Sequence, residues 1–135
     1  MRRLRSAAPV RLVVAWLPAV AWAGVIFAFS ATPNLRVAES DVVDLIVRKA
    51  GHMTEFGVLA LLVWRGFSYA RLRGAVLLSL ALTAAYAASD EFHQSFTAGR
   101  HASPVDVGID SAGALIALLA LVAWLRFRAR RRQLA

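Results

Sequence analysis

Imidazole and carboxylate groups carry the chemistry open to this chain, which has 135 residues, three histidines, eight acidic residues and no cysteine. Thiolate catalysis, disulfides, zinc–thiolate sites and iron–sulfur clusters are thereby excluded. Residues three or four apart share a face of a helix, which sorts the polar residues into three stripes. Lys49, His52, Glu55 and Phe56 form the first. In the block Ser89-Asp90-Glu91-Phe92-His93-Gln94, Asp90 aligns with His93 and Gln94, Tyr86 lies a turn below, and Glu91 is expected to point elsewhere. Asp106, Asp110 and Gly113 form the third. His52, Asp90, Glu91, His93 and Asp106 are candidate catalytic residues, able to supply a general acid–base pair or to ligate a divalent metal that activates water. Two histidines and a carboxylate suit zinc, iron or manganese, but no recognised metal motif such as H-E-x-x-H is present. As a binding set the candidates are Lys49, His52, Asp90, Glu91, His93, Gln94, Arg100, Asp106 and Asp110. Here Arg100 and Lys49 would contact phosphate or carboxylate while the other polar groups hydrogen-bond a headgroup.

The elements that must position these residues are membrane spans. Hydrophobic residues make up 59% of the chain and the mean hydropathy is +0.59, well above a soluble domain. A spanning helix needs about 20 mostly apolar residues, because it rises 1.5 Å per residue across a core of roughly 30 Å. Four stretches qualify, at about 12–30, 50–69, 74–96 and 105–125, and they leave no room for a separate soluble domain. The expected fold is all-α: a polytopic, single-domain bundle of four transmembrane helices. A secretory signal peptide shares the basic start of the first stretch but has a shorter apolar region, so an uncleaved helix is expected there. The stretch from Thr32 to Asp44 reads as a polar, acidic loop. On hydropathy alone the second span is the weakest.

Charge sets the orientation. The net charge of +8 and a pI near 11.6 would suggest nucleic acid in a soluble protein. Here the basic residues sit beside apolar segments and read as topology signals, so no nucleic-acid partner is expected. Arg2, Arg3, Arg5, Arg11, Arg65, Arg71, Arg73 and the tail residues Arg126, Arg128, Arg130, Arg131 and Arg132 fall on one side, twelve of the sixteen basic residues with no acid among them. Loops rich in Arg and Lys stay in the cytoplasm, which puts both termini there. The other side receives every acidic residue and every histidine, together with Arg36, Arg48, Lys49 and Arg100. Counted from the outer ends of the spans, His52, Glu55, Asp90, Glu91, His93, Gln94, Asp106 and Asp110 all lie within about 2 to 9 Å of the interface.

Carboxylates near hydrocarbon are costly, about 2.5 to 3.5 kcal/mol at a span's centre and less toward the interface, so they need partners. Arg100 is the obvious one, with Lys49, Arg48 and protonated His52 or His93 as others. A lone polar residue near a span's end is ordinarily interfacial, and His101, Glu39, Asp41 and Asp44 are expected to be solvated in loops. Trp16, Trp22, Trp64 and Trp124 read as interface anchors or packing groups. Gly113 and Ala114 allow close approach of helices. Five polar residues among the six from Ser89 to Gln94 exceed what packing requires.

These residues resemble the VanZ-like family of small membrane proteins, whose pattern is Lys-x-x-His-x-x-x-Phe followed by Ser-Asp-Glu-x-His-Gln. Here they are Lys49-Ala-Gly-His52-Met-Thr-Glu-Phe56 and Ser89-Asp90-Glu91-Phe92-His93-Gln94, continued by Phe96, Gly99-Arg100, Asp106 and Gly113. The likeness covers about residues 49–113. The family's usual Asn four residues after the Asp is Asp110 here, and no glycine follows within Leu115 to Leu119, so an amide's hydrogen-bond donation is lost at position 110. The resemblance implies the outer leaflet of a bacterial cytoplasmic membrane, where lipid headgroups and cell-wall precursors lie, and an effect on susceptibility to the glycopeptide teicoplanin.

Three functions follow as expectations. The first is an envelope protein that binds a membrane lipid, a cell-wall precursor or a glycopeptide-related ligand. The second is a membrane-embedded hydrolase or transferase, with or without a divalent metal. The third is a proton or ion relay, opposed by inner span halves that carry no ionisable group apart from the boundary residue Arg65. A structural role in a larger complex and association into homo-oligomers are compatible with the same sequence.

Overall fold

A computed structural model describes residues 3–33, 38–98 and 102–134, with side chains described from residue 11 onward. Four helices run in order: α1 (Arg3–Ser30), α2 (Asp41–Tyr69), α3 (Ala75–Gln94) and α4 (Pro104–Gln133). Three of them hold stretches long and apolar enough to cross a membrane, namely Arg11–Ser30, Ala75–Gln94 and Pro104–Gln133. The polar residues of α2 hold it below that measure. This is an all-helical membrane protein.

The first, second and fourth expected spans lie within α1, α2 and α4, each of which is longer than expected, whereas α3 is slightly shorter than the expected 74–96. α2 begins at Asp41, not near residue 50, so Asp41 and Asp44 occupy its first turn and not a loop. Carboxylates there face the unpaired N–H groups and positive end of the helix dipole, a favourable place for them. α4 continues through the terminal arginines to Gln133, with Arg130, Arg131 and Arg132 in its last turn, where cations meet the negative end. Ser103 caps α4: its Oγ accepts from the Val105 amide at 3.2 Å, and Pro104 fills the first helical position, where no N–H is needed. The turn between α2 and α3 uses two left-handed positions, Arg71 at φ 55° and Gly74 at φ 76°.

α2 is the central element. It packs most extensively on α4, then on α3 and α1, whereas α1 barely touches α3. Its buried stripe of Phe56, Leu59 and Val63 meets Ala19 and Ile26 of α1 and Ala87 of α3. Ala60 meets Ala114 and Leu118 of α4 on its other side. Lipid is as apolar as these side chains, so the association relies on close van der Waals fit and small residues. At Gly113 the fit is tightest, since an added Cβ would run into the Met53 backbone of α2. Around the outside, Leu17, Val20, Leu77, Ile116 and Leu119 stay more than half exposed, an apolar surface suited to hydrocarbon.

Candidate functional site

Adjacent helices alternate in direction, so the first turns of α2 and α4 meet the last turns of α3 at one end of the molecule. Between them lies a cavity of about 60 Å³. α2 contributes Leu45, Arg48, Lys49 and His52, α3 contributes Glu91 and Gln94, and α4 contributes Asp106, Ile109 and Asp110. Polar residues from all three candidate stripes converge there.

Ion pairs join α2 to α4 and brace the start of α2. The Lys49 ammonium donates to the Asp106 Oδ1 across the gap from α2 to α4. One turn deeper, the His52 Nδ1 stands 3.8 Å from the Asp110 Oδ2, an ion-pair separation longer than a hydrogen bond. Arg48 pairs with Asp44 at 2.8 Å along α2. Asp44 also accepts from the Ala38 amide at 3.2 Å and is only 6% exposed, so the expectation of a solvated loop carboxylate is corrected. Its place in the first turn, one turn before Arg48, explains the difference.

α3 presents its polar block differently from the expected stripe. Glu91 is buried, lines the cavity, and accepts from the Ser103 amide at 2.5 Å, which fastens the end of α3 to the start of α4. His93 turns away from the cavity and packs on Phe27 of α1, ring centroids 4.5 Å apart. The correction has a simple cause. α3 touches three helices, so a residue one position off the cavity face still meets protein: Glu91 meets α4 and His93 meets α1. Asp90 and Gln94 do share a face, with the Gln94 Nε2 donating to the Asp90 Oδ2 at 3.0 Å. The other Asp90 oxygen, Oδ1, is buried and accepts no hydrogen bond among the described residues, as is the case for the His93 Nδ1.

Aromatic rings support His52 from behind the cavity wall. His52 stacks on Phe56, which is fully buried, and Phe56 leans on Tyr86 at 6.1 Å. The Tyr86 hydroxyl donates to the Ala23 carbonyl at 2.7 Å, fixing α3 to α1 below the site. Trp22 donates to the Glu55 carbonyl at 2.9 Å, and Trp16 packs edge-on against Phe67, so both serve packing. Trp124 is half exposed at the other end, with Arg128 over its ring.

Arg100, Gly99 and His101 lie outside the described residues. Among those described, no three His, Asp or Glu side chains converge closely enough to hold a metal ion. The cavity residues that sequence reasoning missed are Leu45 and Ile109, together with the Asp44–Arg48 pair and Ser103 beside it. A signal for the pair was present, because Asp and Arg four apart at the start of a helix form a standard ion pair.

An all-helical membrane protein with an ion-paired polar cavity at one end of its helices is thus defined. It belongs to the VanZ/LLP1 family, whose profile matches residues 9–126. The match reaches well beyond the two sequence blocks and takes in all four helices. No curated protein and no solved structure matches the chain.

Proposed function

We propose that the chain crosses a bacterial cytoplasmic membrane four times with both termini inside, and that its cavity is an outer-leaflet site for the headgroup of a cell-envelope lipid or a cell-wall precursor. The observation carrying this reading is the cavity itself. Three helices bring ionisable side chains to one small space, within a turn or two of helix ends that carry the acidic residues. Asp90, Glu91, Gln94 and Asp110 are each at most 6% exposed. Burying carboxylates beside hydrocarbon is costly unless they gain partners, and a polar ligand entering from the headgroup layer supplies more of them. The positive-inside rule supports the orientation, since the arginine-rich ends of the helices lie opposite the cavity.

The test is protection by lipid. Purified protein in detergent should unfold at a higher temperature as an envelope lipid is titrated in, and Lys49→Met should remove most of that shift. If phosphatidylethanolamine, phosphatidylglycerol, cardiolipin and a soluble cell-wall stem peptide all leave the melting temperature unchanged, the headgroup reading is wrong. The family resemblance adds a cellular expectation: expression in a susceptible host shifts growth inhibition by teicoplanin, and the Lys49→Met variant does not.

One observation favours a second reading, a hydrolase or transferase, with or without a divalent metal. The Asp110 carboxylate stands beside the His52 Nδ1. A carboxylate in that position orients an imidazole for general-base work. Under this reading His52→Gln abolishes turnover of an ester or phosphoester of an envelope lipid while lipid protection persists.

A further inference from the structure

Building on the headgroup reading, we propose that the group the cavity selects is a primary ammonium, carried beside an anion on the same ligand. Charge around the cavity is unbalanced. Asp44, Asp90, Glu91, Asp106 and Asp110 supply five carboxylates in or beside it, against Arg48, Lys49 and, when protonated, His52 among the described residues. Counting Arg100 as a fourth cation still leaves the carboxylates in excess.

The cations are also committed. Lys49 is bound to Asp106 and Arg48 to Asp44, so an anion arriving alone would compete with carboxylates already in place and would face Glu91 and Asp110. Both Asp90 and Asp106 lie close enough to Asp110 for their charges to act on it. Asp90 is 3% exposed, and its Oδ1 accepts no hydrogen bond among the described residues, although its other oxygen is held by Gln94 of the cavity wall. An alkylammonium relieves such an excess, because its three N–H groups donate charge-assisted hydrogen bonds to carboxylates. Its companion anion can share Lys49 with Asp106 at the mouth, where the two side chains are 36% and 34% exposed.

Size limits the ligand further. A cavity of 60 Å³ has room for about four water-sized groups. That suits an ethanolammonium or the end of a lysine side chain better than a sugar ring. Two sources carry this chemistry in an envelope: the headgroup of phosphatidylethanolamine and the amine of a cell-wall stem peptide.

The full chain in detergent, titrated with four probes, separates them. The probes are phosphatidylethanolamine, its N-acetylated form, phosphatidylglycerol and a soluble lysine-bearing stem peptide. Phosphatidylethanolamine or the peptide should raise the melting temperature saturably, and whichever does so names the source. N-acetylation keeps the phosphate and the acyl chains but removes the ammonium, and should abolish the shift. Asp110→Asn and Glu91→Gln preserve shape and should each weaken the protecting probe about tenfold, the loss of one charge-assisted hydrogen bond. Protection by phosphatidylglycerol or the N-acetyl lipid as strong as by phosphatidylethanolamine would overturn the ammonium while leaving a headgroup site. Parent-like affinity in both carboxamide variants overturns it as well. No protection by any probe removes both proposals.

Discussion

Gly113 faces the Met53 backbone where α2 and α4 come closest, and a Cβ there has no flexible neighbour to displace. Gly113→Val should therefore force the two helices apart and destabilise the protein by about 1–3 kcal/mol, read as an earlier thermal transition in detergent. Gly24, on α1, has nothing within 4 Å of where a Cβ would be. Gly24→Ala should be neutral or stabilise by up to about 1 kcal/mol through helix propensity alone. Charged residues can be separated in the same way. Lys49→Met, Asp106→Asn and the double variant form a cycle whose coupling should be about 0.5–1 kcal/mol, because both side chains are a third exposed. A coupling of zero would show that the pair contributes nothing to folding. Much of this scale was legible in the sequence: spacing put Lys49 with His52 on one stripe and Asp106 with Asp110 on another, at a similar depth. Glu91 and His93 exchanged their expected places because spacing tells which residues share a face, but not which neighbouring helix each face meets.

At the scale of elements, a span and a helix are different lengths. The apolar run near residue 50 marks where hydrocarbon begins, but backbone hydrogen bonding continues beyond it to Asp41. Residues 41–49 then form two further turns that carry Arg48 and Lys49 to the cavity and set Asp44 against Arg48. The start was readable, since Ser40 followed by Asp41 and Asp44 is a helix-start pattern. Hydropathy obscured it by setting the boundary on a different criterion. The two starts that frame the site are built unequally. The Ser103 side chain accepts from Val105, whereas Ser40 at the start of α2 makes no side-chain cap bond. Ser103→Ala should lower stability by about 1 kcal/mol, while Ser40→Ala should stay within about 0.5 kcal/mol. Equal melting temperatures for the two variants would mean that the cap does not hold the start of α4 against Glu91.

For the whole molecule, the open quantity is how many helices cross the membrane. α1, α3 and α4 carry stretches apolar enough to do so, and α2 does not, because the residues that build the cavity dilute its hydropathy. Yet α2 packs against all three of the others, with Phe56 and Ala60 fully buried among them. Its polar cost is offset by the partners it finds on α4: Asp106 for Lys49 and Asp110 for His52. A helix evaluated alone misses such pairs, which form only after neighbours assemble. The absence of cysteine makes single-cysteine variants clean reporters of side. Thr32 and Leu72 flank α2, while Thr97 and Ala129 flank the crossing part of α4. With a membrane-impermeant thiol reagent on intact cells, cysteines at 32 and 97 should label and those at 72 and 129 should not. Labelling of 72 and 129 in place of 32 and 97 reverses the orientation and moves the cavity to the cytoplasmic leaflet. Equal labelling at 32 and 72 means that α2 does not cross, and the ion pairs to α4 then have to form at the surface and not within the span.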